Sequence, residues 1–194
     1  MTTGRKQIFR SPGGVITGGI TVAVTLALAG FGAFYPGAGW ADWLIVVMLL
    51  LALVSYVGQI RPAVVLGETD LVLRNMLGTV HVPWPAVGEV LVRQIVTVEA
   101  GDRIYDCPAV GRSPRQIKRD SALPLDHHPT EDSFGLFVES QILHRARDAR
   151  AQAGIEEGSA EQHAVADGVR QTRAWPEIVL LVAGVVALVV SVVV

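Results

Sequence analysis

Three stretches of this chain carry almost no polar side chain, and the stretch between the second and third alternates. Residues 15–34 hold no charge, residues 44–60 hold none, and residues 178–194 are apolar apart from Ser191. A helix of about 20 residues rises about 30 Å, the thickness of a bilayer's hydrocarbon core. The pattern predicts three transmembrane helices, at 15–34, 44–60 and 175–194, the last counted from Trp175. Residues 61–117 follow a shorter period. Leu71, Leu73, Val80, Val82, Val90 and Val92 alternate with polar or smaller residues, as in half-buried strands. Gly67-Glu68, Leu77-Gly78, residues 85–88 and Ala100-Gly101-Asp102 separate these runs as turns.

After the strands the pattern weakens. Residues 108–120 place Arg112, Arg115, Lys118 and Arg119 among prolines and glycines, which predicts a basic loop, and residues 121–132 continue it. A helix is expected next. Ser133 is a candidate N-cap, and Phe134, Phe137, Val138, Gln141, Ile142 and Arg145 share one face up to Gly154. Residues 154–159 read as a linker, and Ser159 as the cap of a second, polar helix reaching Arg173. Trp175-Pro176-Glu177 then opens the last apolar block, with proline in the first turn and tryptophan suited to the interface.

Two other readings compete. Arg5, Lys6 and Arg10 before an apolar run would suit a cleaved signal peptide, but the run is too long for a signal core and another span follows almost at once. The last block would suit a buried helix of a soluble fold, but it is rich in valine and has no polar face.

Composition supports the membrane reading: 51% of residues are hydrophobic and 18% charged, apolar-rich for a soluble domain. Arg5, Lys6, Arg10 and Arg61 flank one side of the first two spans, whereas the turn between them has no Lys or Arg. The positive-inside rule therefore puts residues 1–14 and the domain at 61–153 in the cytoplasm. With Arg170 and Arg173 also inside, the C-terminus is expected outside the cell (inner) membrane. A net charge of −2 gives no general attraction to nucleic acid.

Within the spans, Gly14, Gly18, Thr21, Thr25, Ala29 and Gly32 recur every three or four residues, and so do Ala183, Ala187 and Ser191. Small-residue stripes let helices approach closely in lipid. They serve either packing among these three helices or docking onto helices of other membrane protein subunits. No ionisable residue lies near the centre of a span, which argues against a transporter, channel or proton pump.

Candidate chemistry is sparse. Asp126-His127-His128, with His144 and His163, raises a metal site, but adjacent histidines diverge and no fixed spacing joins the others. Cys107 is the sole cysteine and reads as a small core residue. No nucleophile-elbow, phosphate-loop or dinucleotide motif occurs. The expectation is no enzyme, no metal and no cofactor. The basic loop of Arg112, Arg115, Lys118 and Arg119 suits either a solvated surface or anionic headgroups of the adjacent bilayer.

At Arg61-Pro62-Ala63-Val64-Val65-Leu66, Asp70-Leu71-Val72-Leu73-Arg74-Asn75 and Val82-Pro83-Trp84, the chain resembles the PH-like domain of the actinobacterial low-molecular-weight protein antigen family. The resemblance covers about 55–60 residues and implies a strongly bent antiparallel sheet closed by a C-terminal helix, here residues 134–150. The long segment 108–132 departs from that pattern. The expected architecture is thus an integral membrane α-helical protein with a small α+β PH-like domain. The expected function is a non-catalytic accessory or assembly subunit of a larger complex, a respiratory cytochrome supercomplex being one host in an actinobacterial setting. The alternative is a membrane-tethered adaptor for anionic lipid or peptide.

Overall fold

A computed structural model of the chain describes residues 6–35, 40–111 and 134–193. Two compact units emerge, Met1–Ser11 with Pro62–Thr172, and Pro12–Arg61 with Arg173–Val194.

The first unit is built on two antiparallel sheets. In one, the order is β1 (Gln7–Phe9), β2 (Ala63–Leu66), β3 (Asp70–Arg74), β4 (Gly78–Pro83) and β8 (Arg170–Arg173). The other joins β5 (Val87–Val92), β6 (Val96–Ala100) and β7 (Arg103–Cys107). The twofold alternation decides what each face does. Val64 pairs with Leu73 and Leu66 with Leu71, and all four enter a core shared with Val82, Val92, Val96 and Val98. Ala63, Val65 and Val72, which alternate with them, form a small buried cluster of their own. β2 is therefore buried on both faces, which accounts for its unbroken apolar run.

A single 3-10 turn at Trp84–Ala86 carries β4 into β5, where the ladder slips between Val87 and Val90. Helix α3 (Phe134–Ala153) packs on β5 and on this turn. It buries Gly135, Val138, Ile142, Ala146 and Arg150, the three-and-four spacing of one helical face. Ser159 caps the next helix, α4 (Ala160–Ala166), its hydroxyl accepting from Gln162 N at 3.2 Å.

Two edges of the domain differ from the sequence expectation. Residues 1–14 read only as a charged leader to the first span, yet Gln7–Phe9 is a strand paired with β2. Phe9 there packs edge-to-face on Phe134 and Phe137, at 6.0 and 6.1 Å between ring centres. The polar helix expected to reach Arg173 stops at Ala166, and Arg170–Arg173 lies beside β4 instead. The edge of β4 offers backbone partners that a short polar helix in water lacks. The domain thus extends beyond 61–153 on both sides.

The second unit holds three helices long and apolar enough to cross a membrane. They are α1 (Pro12–Phe34), α2 (Asp42–Ser55, continuing to Ile60 with wider π-type winding) and α5 (Trp175–Val193). Helix α2 packs on both others. After its last turn, Arg61 Nε donates to Glu177 Oε1 at 2.8 Å, tying the C-terminal end of α2 to the first turn of α5. In chain order, α1 and α2 are an insertion between the paired strands β1 and β2.

Candidate docking surfaces

Helix α1 spends its small residues on its neighbour. Gly18, Thr25, Ala29 and Gly32 are buried and Gly14 and Thr21 half-buried. A Cβ on Gly18 would stand 2.8 Å from Gln59 Cβ and 3.0 Å from Ile60 Cγ1, and one on Gly32 would stand 2.8 Å from the Trp40 ring. The hydroxyls satisfy themselves locally: Thr21 donates to Thr17 O at 2.9 Å and Thr25 to Thr21 O at 2.8 Å. Thr17, which the small-residue spacing did not single out, donates to Gly13 O and lies 2.9 Å from Gln59 Oε1 on α2. Gly18→Leu is expected to destabilise the α1–α2 pair by about 1–3 kcal/mol through overpacking. Gly19→Leu, next in sequence but with nothing within 4 Å, should leave the melting temperature in detergent nearly unchanged. Equal melting temperatures for the two variants would mean that Gly18 is not a close-packing position.

Helix α5 behaves differently. Ala183 and Ala187 are exposed and Ser191 is half-buried, donating to Leu188 O at 2.9 Å. Gly184 is a residue at which α5 closely approaches α2: a Cβ there would press on the end of the Leu50 side chain. Spacing alone pointed to the alanines. A glycine inside a helix is costly, but Gly19 and Gly30 of α1 stand in open space, so glycine alone did not mark the contact at 184.

Among the described residues the domain surface holds little that could react. Among the described residues no group of three or more His, Cys, Asp or Glu side chains is placed to hold a metal. His144 pairs with Asp148 at 2.8 Å on the exposed side of α3, and His163 lies 3.7 Å from Asp102. Arg112, Arg115, Lys118 and Arg119, and Asp126, His127 and His128, lie outside the described residues. A polar cleft of about 460 Å³ opens between the β6–β7 turn and α4, bordered by Asp102, Arg103, Tyr105, His163 and Asp167.

Cys107 is fully buried at the end of β7. Burial pushes its thiol up from the ordinary 9.0 to about 11, and a backbone hydrogen bond from Ala109 offsets this only in part. Thiolate is the reactive form, so at pH 8 the native thiol should resist maleimide and react only once the chain unfolds. Prompt labelling of the native protein would contradict this burial. Because the folded pKa lies above the unfolded one, the thiol's contribution to stability is complete below pH 9 and is lost as the pH rises towards 11.

No family model, no curated protein and no solved structure matches this chain.

Proposed function

We propose that the chain is a three-span membrane protein with a PH-like domain on the cytoplasmic side, acting as a non-catalytic accessory or assembly subunit of a larger membrane complex. The outward face of α5 carries this reading. Ala183 and Ala187 stand one turn apart and exposed, on the flank of a helix that meets α2 at Gly184. That spacing admits a second helix at close range. The PH-like assignment is supported by two antiparallel sheets, a buried tryptophan after β4 and a closing helix, α3. The cytoplasmic placement rests on the basic residues flanking the spans. It is also consistent with β1 and β2 pairing across an inserted pair of helices.

The test is mild detergent extraction of native membranes with an N-terminal tag, followed by mass spectrometry of partners in fixed ratio. A respiratory cytochrome supercomplex is the first host to look for. Ala183→Leu with Ala187→Leu is expected to lower co-purification at least ten-fold while leaving the melting temperature of the purified chain unchanged. Co-purification that survives both changes would sink docking through this face.

The second reading, an adaptor for anionic lipid or peptide, is favoured by the exposed edge of β7, where Ile104 is 68% exposed, and by the basic residues 112, 115, 118 and 119. Neutralising those four should then weaken binding of an added anionic ligand by the full chain, and unchanged binding would remove it.

A further inference from the structure

The strand registers sort the turns of the domain into two ends. At one end lie the pairs Phe9–Val64, Ala63–Arg74 and Arg74–Thr79. Thr172 joins this row by donating its hydroxyl to Thr79 O at 3.4 Å. The chain passes between this row and an apolar helix three times: after Phe9 into α1, from α2 into Ala63, and after Thr172 into α5. The second sheet is tied to the same end. Asn75 Nδ2 donates to Asp106 O at 2.8 Å, Cys107 Sγ lies 3.5 Å from Arg74 O, and Cys107 pairs with Val96.

The hairpin turns at the two ends differ in what they carry at their tips. At the end where the helices join, the β3–β4 turn carries Met76 and Leu77, each 45% exposed, and the β5–β6 turn carries Ile95, 37% exposed. Arg74 and Arg93 stand beside these tips. At the far end the tips hold Glu68 and Asp102, both exposed, with Asp70 next to the first and Arg103 and Ile104 following the second on β7. Asn75 and Gly78 are the residues a turn in water favours, whereas Met76 and Leu77 between them, and Ile95 on the other tip, are not. Apolar residues flanked by arginine are instead the composition of a surface seated at a headgroup–acyl boundary.

We propose that Met76, Leu77 and Ile95 form an apolar wedge that enters the interface of an anionic bilayer, with Arg74 and Arg93 against its phosphates. The wedge rests on the reading of α1, α2 and α5 as membrane spans and goes beyond it. It gives the domain a contact with lipid in addition to its three chain connections, and so a fixed face towards the membrane.

The experiment uses the full chain in phosphatidylcholine–phosphatidylglycerol vesicles. Single cysteines at Met76, Leu77, Ile95, Glu68 and Val186 are labelled with an environment-sensitive fluorophore and quenched with doxyl lipids. Cys107 is left in place, and the unsubstituted chain measures any labelling there. Val186 reports the middle of α5 and Glu68 the far end of the domain. The expected result is quenching at Met76, Leu77 and Ile95 at least half as strong as at Val186, with little at Glu68. Quenching at Val186 alone would overturn the wedge and leave the spans intact. An apolar fluorophore environment at the tips without quenching would mean that protein covers them, and would overturn it too. No quenching at Val186 would overturn the spanning reading on which the wedge depends.

Discussion

Trp84→Ala is expected to cost the domain about 3–5 kcal/mol. Trp84 is 4% exposed, in the turn that carries one sheet into the other. Its Nε1 donates to Gly67 O at 3.2 Å, and Arg145 of α3 lies over the ring at 6.0 Å while donating to the same carbonyl at 3.3 Å. The side chain therefore joins the β2–β3 turn, the crossover between sheets and the closing helix. Domains of this size are stable by about 5–15 kcal/mol in total, so a loss on this scale removes a large part of the margin. Trp84→Phe keeps most of the apolar volume and gives up the hydrogen bond, and should cost less. Urea titration of the full chain in detergent, read by Cys107 labelling, distinguishes the two. Equal midpoints for wild type and Trp84→Ala would mean that the ring is not a core element.

Arg150→Ala is the second large effect, at about 2–4 kcal/mol. The side chain is 5% exposed, a rare place for an arginine. It donates to Val87 O and, at 3.1 Å, to Glu157 Oε2, while Gln162 Nε2 also reaches Val87 O at 3.2 Å. One carbonyl at the start of β5 thus gathers the C-terminal half of α3 and the first turn of α4. Alanine leaves a void there and removes one of two donors to a buried acceptor. Arg150→Lys should recover little, because one ammonium lacks the fork that reaches both partners. Glu157, whose side chain is 70% exposed, contributes less than about 1 kcal/mol as a surface partner, so Glu157→Gln is the matched control. A loss at Glu157 equal to that at Arg150 would place the energy in the ion pair and not in the buried hydrogen bonds.

What the sequence made legible follows from signal length. The three apolar runs are long, and the alternation from Leu71 to Val92 spans several strands, so each survives local noise. Gln7–Phe9 is too short to show a period, and it is a strand because β2 gives it partners and Phe134 and Phe137 cover Phe9. Arg170–Arg173 has no apolar residue at all, so its place in the sheet comes from pairing alone. In the spans, residue size was readable and direction was not. Ala183 and Ala187 lie one and three positions from Gly184, and the position of Leu50 decides which of the small residues faces α2. Arg150, in the last turn of α3, is the sort of charge that favours a helix C-terminus, and nothing local reveals that it points into the protein.

The insertion of two apolar helices between β1 and β2 has a consequence for biosynthesis. On the three-span reading proposed above, the first strand leaves the ribosome long before its partner, and the inserted pair of helices returns the chain to the side on which it started. If α1 and α2 entered the bilayer as a single crossing, Gln7–Phe9 and Ala63–Leu66 would be stranded in different compartments. The sheet would then lack an edge strand, and Phe9 would be missing beside Phe134 and Phe137. On that reading, completion of the sheet reports correct topogenesis, and a misinserted chain would also display a sheet without its edge strand.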